Sequence, residues 1–238
     1  MSLPPSLWPT RPKTYPLVWG FKRYALHFDG SSYVSVPSTS DLALGDEATW
    51  ELIFKFVENG SDQGLLAKGT WSADSDYALP FRTDRRLRLW LSDGTTEETR
   101  ASDSALSPDR WYHVCVVFRR SDLSVEFWIN GELDSRKTFT INPQSVVDVV
   151  HVGRAGGWFL AGDIALFRYY TQALTGRGIR HNMLNYTSPI LDGLVLWLHD
   201  RMTADTWYDD SSRGNDGSVS GATVAPLSMW STREEVGL

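Results

Sequence analysis

Histidine, cysteine and carboxylate are the side chains most able to do chemistry near neutral pH, and this chain spaces them in ways that do not spell out catalysis. The five histidines, His27, His113, His151, His181 and His199, stand apart from one another. None belongs to an H-E-x-x-H pattern or neighbours a C-x-x-C pair, so no metal set is written locally. His113 shares a strand side with Trp111 and Cys115 and reads as a packed, hydrogen-bonded histidine. Cys115 is the only cysteine, which precludes an intrachain disulfide. It reads as a small buried hydrophobe. Glycoside hydrolysis needs two carboxylates flanking one bond. The adjacent Glu97-Glu98 would point to opposite faces of a strand or sit in a turn. Gly217-Ser218-Val219-Ser220-Gly221 places valine where a nucleophile elbow would hold its nucleophile. No catalytic residue is assigned, and the chain is expected to bind rather than catalyse.

Binding chemistry is better represented. Asp209-Asp210-Ser211-Ser212 and Gly214-Asn215-Asp216-Gly217 concentrate hard oxygen donors in one short stretch, the chemistry that calcium takes. The EF-hand spacing is not met, because Arg213 occupies a ligand position. Asp209, Asn215 and Asp216 are the candidate ligands, joined by Asp29 if the C-terminal segment docks beside the first strand. The alternative is that Asp, Asn and Gly simply make the turn. Eleven tryptophans are many for 238 residues. Trp50, Trp90, Trp111 and Trp128 fall in strand patterns and are assigned to the core. Trp71 and Trp158 fall in loops, where an indole beside Asp74 and Asp76 could stack on a sugar and bond its hydroxyls. They could equally fill a protein–protein contact, where tryptophan is enriched, or anchor loops.

The elements that must position these residues are mostly strands. In Thr49–Val57, Trp50, Leu52, Phe54 and Phe56 share one face, with Glu51 and Lys55 on the other. Similar runs predict strands at Gly64–Lys68, Tyr77–Arg82, Leu87–Leu91, Trp111–Arg119, Ser124–Ile129, Val149–Gly153, Gly162–Tyr170 and Leu194–Leu198. Asn130-Gly131 predicts a hairpin turn. One helix is expected around Gly176–Tyr186, with Ile179, Met183, Leu184 and Tyr186 as its apolar positions. Residues 1–22 carry Pro4, Pro5, Pro9, Pro12 and Pro16 and form an extended arm. Its Trp8, Tyr15, Leu17 and Trp19 suit docking on a protein partner or a second copy of the chain.

The order of short motifs then carries a resemblance. Ala25-Leu26-His27-Phe28-Asp29-Gly30 with Tyr33–Pro37, Trp111-Tyr112-His113-Val114, and Phe127-Trp128-Ile129-Asn130-Gly131 come first. Val152-Gly153-Arg154, Gly162-Asp163-Ile164 and Leu166–Tyr170 follow. Over about residues 24–186 this order resembles laminin G-like domains of the concanavalin A-like lectin/glucanase superfamily. The resemblance implies an all-β, antiparallel jelly-roll sandwich over residues 23–224, with a tail at 225–238. It also implies that related glucanases would show an E-x-D-x-x-E strand, which this chain lacks. Residues 190–224 look like the segment that normally precedes the first strand, so the chain is read as permuted, or as exchanging this segment with a neighbouring subunit. A second, truncated copy is the alternative, but fewer than fifty residues could not bury a core alone.

A net charge of −6 argues against a nucleic-acid partner and against docking on anionic membranes. The N-terminus lacks the continuous apolar core of a signal peptide. Together these features predict a protein made in the cytoplasm that ends up in a virion or other extracellular assembly. Its expected role there is a structural or adhesion subunit, with a carbohydrate-binding module as the alternative and a glycan-active hydrolase behind both.

Overall fold

The computed structural model describes residues 24–69 and 75–227. The arm with Trp8, Tyr15, Leu17 and Trp19, the loop residues Trp71 and Asp74, and the last eleven residues lie outside the described part. Before the helix the strands are β1 (Tyr24–Asp29), β2 (Tyr33–Val36), β3 (Glu47–Phe56), β4 (Gln63–Lys68), β5 (Tyr77–Phe81), β6 (Arg86–Ser92), β7 (Glu97–Ala105), β8 (Tyr112–Arg119), β9 (Ser124–Ile129) and β10 (Glu132–Thr138). They continue as β11 (Val150–Val152), β12 (Arg154–Ala155), β13 (Trp158–Phe159) and β14 (Ala161–Tyr170). Helix α1 (Gly176–Leu184) leads to β15 (Leu194–Met202), β16 (Thr206–Asp209), β17 (Gly217–Ser220) and β18 (Thr223–Pro226). Among the described residues no helix is long and apolar enough to cross a membrane.

Apart from the small β12–β13 ribbon, all strands join one antiparallel sheet that folds over on itself. Its order runs β10-β9-β8-β3-β14-β15-β16-β17-β2-β11-β4-β5-β6-β7, with β1 between β14 and β18. The inner faces of β3, β8 and β14 (Trp50, Phe54, Val116, Tyr169) meet those of β4, β5 and β6 (Leu66, Leu79, Leu89) in the main core. Each such buried side chain contributes about 1.5–3 kcal/mol. The C-terminal segment is part of this core: β15 pairs with β14, β17 with β2, and β18 with β1. Leu196, Leu198 and Trp207 are buried there.

The turn between β9 and β10 has Asn130 at φ 49° and Gly131 at φ 79°, as the Asn-Gly pair predicts. The helix stops at Leu184, two residues short of the expected end, and is capped at its start by Thr175 Oγ1, which accepts from the Gly178 amide. β7 had no counterpart in the sequence pattern. Its residues Glu97–Ala105 are polar on both faces because it is an outermost strand that carries little of the core. It lies against β10, where Asp134 accepts hydrogen bonds from the amides of Asp103 and Ser104 at 2.7 and 3.0 Å. Trp111 differs from its assignment to the core: it is half-buried, with the Lys55 ammonium 5.5 Å from its ring.

Candidate functional site

Each layer has a second, outward face, and the two are finished differently. On β3, β8 and β14 the outward residues Ile53, Cys115, Val117, Ala165, Leu166 and Tyr170 are covered by the segment around α1. Glu51, expected opposite the apolar stripe of β3, is there, but under the helix rather than in water, with no exposed surface. Its carboxylate takes hydrogen bonds from His113 Nε2 at 2.8 Å, Arg168 at 3.1 Å and Asn182 Nδ2 at 2.9 Å. Ligand atoms of Glu51, His113 and Cys115 lie within 4.8 Å of one another. The set does not fit a metal, because the Arg168 guanidinium already neutralises the carboxylate. Burial pushes the Cys115 thiol far up, away from the thiolate that metals bind.

The other layer leaves its outward face open only in part: β4 and β5 are buried on both faces, and the partly exposed outward positions lie on β2 and β11. Alternation in β2 turns Val34 and Val36 into the core and Tyr33 and Ser35 outward, and in β11 it does the same for Val150 and Val152 against His151. Register sets Ser35 beside His151, and His151 beside Ala67 of β4. Beyond β11 the chain turns at Gly153, φ 79°, and folds β12–β13 back over β4. The approach is close enough to require Gly64, whose Cβ would stand 2.0 Å from the Ala155 nitrogen. This ribbon delivers Arg154, Trp158 and Phe159 to the open face.

Tyr33, Ser35, His151, Arg154, Trp158 and Phe159 are all partly exposed. The Arg154 guanidinium carbon lies 5.1 Å from the Tyr33 ring and 5.2 Å from the Phe159 ring. Tyr33 meets His151 edge-on at 5.4 Å. Ser35 Oγ and His151 Nδ1 share a 3.2 Å hydrogen bond. Partial burial and the neighbouring Arg154 charge hold the His151 pKa below its usual 6.5, so the ring is neutral at pH 7. Trp158 stands on the same ribbon, 5.5 Å from the Arg82 guanidinium, whose Nε is paired with Asp62 at 3.0 Å. The face therefore combines flat apolar surfaces, a neutral imidazole, a hydroxyl and a guanidinium on rigid strands.

Of the residues expected to bind ligand, Trp158 is on this face and Asp76 is not. Asp76 is fully buried, accepting from the Leu44, Tyr77 and Val146 amides and pairing with Lys68 at 3.3 Å. A buried carboxylate spent on three backbone amides and an ammonium is not available to a sugar. Burial raises the Asp76 pKa and lowers that of Lys68, the cost of keeping this pair dry.

The expected calcium ligands are used locally. Asp209 accepts from the amides of Trp197, Ser211 and Asn215 and from the Ser211 hydroxyl. Asp216 accepts the Asp209 amide, and Asn215 donates its side-chain amide to Val195 O. Asp29 caps its own turn through Ser31 and Ser32, at the far end of β17 from this cluster. Four N–H and O–H donors aimed at one carboxylate are the signature of a closed turn, and this donor set does not fit a calcium cage.

Sequence reasoning missed Tyr33, Ser35, His151 and Arg154. The alternation at Tyr33–Val36 and Val150–Val152 would have shown two outward faces. Only the pairing of β2 with β11, across 116 residues, makes them one surface.

A family model described as the concanavalin A-like lectin/glucanases superfamily matches residues 28–180. No curated protein matches the sequence. Among solved structures, a proposed carbohydrate binding protein from Bacteroides ovatus ATCC 8483 is similar with a TM-score of 0.68 and 17% identity. The match covers 87% of this chain and 62% of that one, so this chain spans less than two thirds of its length. A heptameric SAP-like pentraxin from Limulus polyphemus matches with a TM-score of 0.61 and 14% identity over 89% of this chain and 99% of that one. The carbohydrate-binding module CBM40 of the Ruminococcus gnavus IT-sialidase, bound to alpha2,3 sialyllactose, matches with a TM-score of 0.51 and 16% identity, covering 68% and 97%. At these identities the likeness is one of fold.

Proposed function

The chain belongs to the concanavalin A-like lectin/glucanases superfamily, and from that premise we propose that it is a non-catalytic module binding carbohydrate on the open face around Tyr33, His151, Arg154, Trp158 and Phe159. The observation that carries the reading is the partly exposed set of aromatic rings beside polar groups on paired strands. Sugars present C–H faces that stack on such rings and hydroxyls that need convergent donors and acceptors. The carbohydrate-binding names of two structurally similar proteins support it. A glycan array probed with the wild type and with Tyr33→Ala tests it. The wild type should bind a defined subset, and the variant should lose at least tenfold in affinity, about 1.4 kcal/mol. Release of reducing sugar from any bound glycan would overturn the non-catalytic part.

A second reading, a subunit of a larger assembly such as a virus particle, is supported by the likeness to a heptameric pentraxin. The proline-spaced arm with Trp8, Tyr15, Leu17 and Trp19 would supply the contact. Self-association by light scattering, together with a silent glycan array, would decide for it.

A further inference from the structure

We propose that the open face selects acidic glycans, with the sugar carboxylate held by the guanidinium of Arg154. This rests on the carbohydrate reading above and names its ligand class. The chain carries a net charge of −6, so carboxylates are plentiful. Two other arginines of this layer have each taken one: Arg82 Nε pairs with Asp62 at 3.0 Å, and Arg88 Nη1 donates to Asp84 at 2.6 Å. Arg154 has not. Its one hydrogen bond among the described residues runs from Nε to Gly156 O at 2.7 Å, and it makes no ion pair there.

Nor is Arg154 a loose surface side chain. Two adjacent rings pack against its guanidinium, and the Nε bond fixes one edge of the plane. The other edge, the two Nη groups, is the fork that matches a carboxylate through two parallel hydrogen bonds. Because the side chain is already held, little rotamer entropy remains to be lost on binding. His151 beside it is neutral, so the face offers one cation and polar partners for hydroxyls rather than a diffuse positive patch. That combination suits one acidic sugar within a chain better than a densely charged polyanion.

The test is calorimetric titration of the full chain with two matched pairs: oligogalacturonate against its carboxyl-reduced form, and sialyllactose against lactose. At least one acidic member should bind tenfold or more tighter than its neutral partner, and the pair that does so tells uronic from sialic acid. The advantage should shrink as salt rises. Arg154→Ala should abolish the preference, so that the acidic and neutral members of a pair bind alike, and Arg154→Lys, which keeps charge without the fork, should lose most of it. Equal binding of acidic and neutral members, or a preference that survives Arg154→Ala, overturns the inference and leaves the carbohydrate reading standing. Binding of none of the four overturns it too, and a silent glycan array in addition removes the carbohydrate reading.

Discussion

Arg168 and Arg154 occupy matching settings on opposite layers of the sandwich. Arg168 lies 5.2 Å from the Trp197 ring and 5.9 Å from that of Tyr186, and Arg154 lies 5.1 and 5.2 Å from Tyr33 and Phe159. What differs is the fourth partner. Glu51 and the Tyr186 carbonyl accept from the two Nη groups of Arg168, and the segment around α1 closes over them. Arg154 has two neighbouring rings beside it and no carboxylate. The same cation–aromatic arrangement is therefore part of the interior where the protein supplies the anion, and a docking point where it does not. Covering a sheet face turns a polar cluster into structure; leaving it open keeps the cluster available.

The largest effect should come from breaking the closed arrangement. Arg168→Leu strands the Glu51 carboxylate in a dry site, which should cost about 3–5 kcal/mol and be read as a large fall in melting temperature by calorimetry. Acid should act through the same group. Burial pushes the Glu51 pKa up, but Arg168 and His113 outweigh it and hold the folded value below 4.5. A depressed carboxylate contributes stability that is complete above its unfolded pKa and is lost as pH falls through the folded one. The wild type should thus lose stability on acidification below about pH 4.5, and Arg168→Leu should lose less, keeping only the part owed to other depressed carboxylates such as Asp29, Asp84 and Glu98. A variant that melts like the wild type would mean that the closed cluster is not structural.

The counterpart, Arg154→Ala, should change stability by no more than about 0.5–1 kcal/mol, the worth of a partly exposed cation–aromatic contact. A loss comparable to that of Arg168→Leu would erase the distinction between the two faces. Smallest of all should be the response to chelator. Asp209 is satisfied by four protein donors, so the melting temperature should not move. A fall would place an ion at that turn and return Asp209, Asn215 and Asp216 to the role that their composition suggested.

Strand positions were widely legible because period-2 alternation is a local property: Ser124–Ile129 is predicted and observed with the same ends, and most others shift by a residue or two. The alternation of β3 also separated Trp50 from Glu51 correctly. It could not say that both faces would be buried, because α1, more than a hundred residues away, provides the second cover. Asp76 failed for a related reason. An aspartate near a loop tryptophan looks solvent-facing, and the amides of Leu44 and Val146 that claim it come from distant loops. β7 was invisible because an outermost strand needs no apolar stripe.

By itself the sequence determined the antiparallel sandwich, the Asn130-Gly131 hairpin, the single short helix and the use of Leu194–Leu198 as a core strand. Each is written in the spacing of apolar and turn residues, which acts over a few positions. Only the tertiary structure decided which polar residues are interior and which are available. Glu51 and Asp76 went inside, and Tyr33, His151 and Arg154 stayed at the surface. That choice depends on which strands pair and which face a later segment covers. Both are contacts between residues tens to more than a hundred positions apart, and no local pattern encodes them.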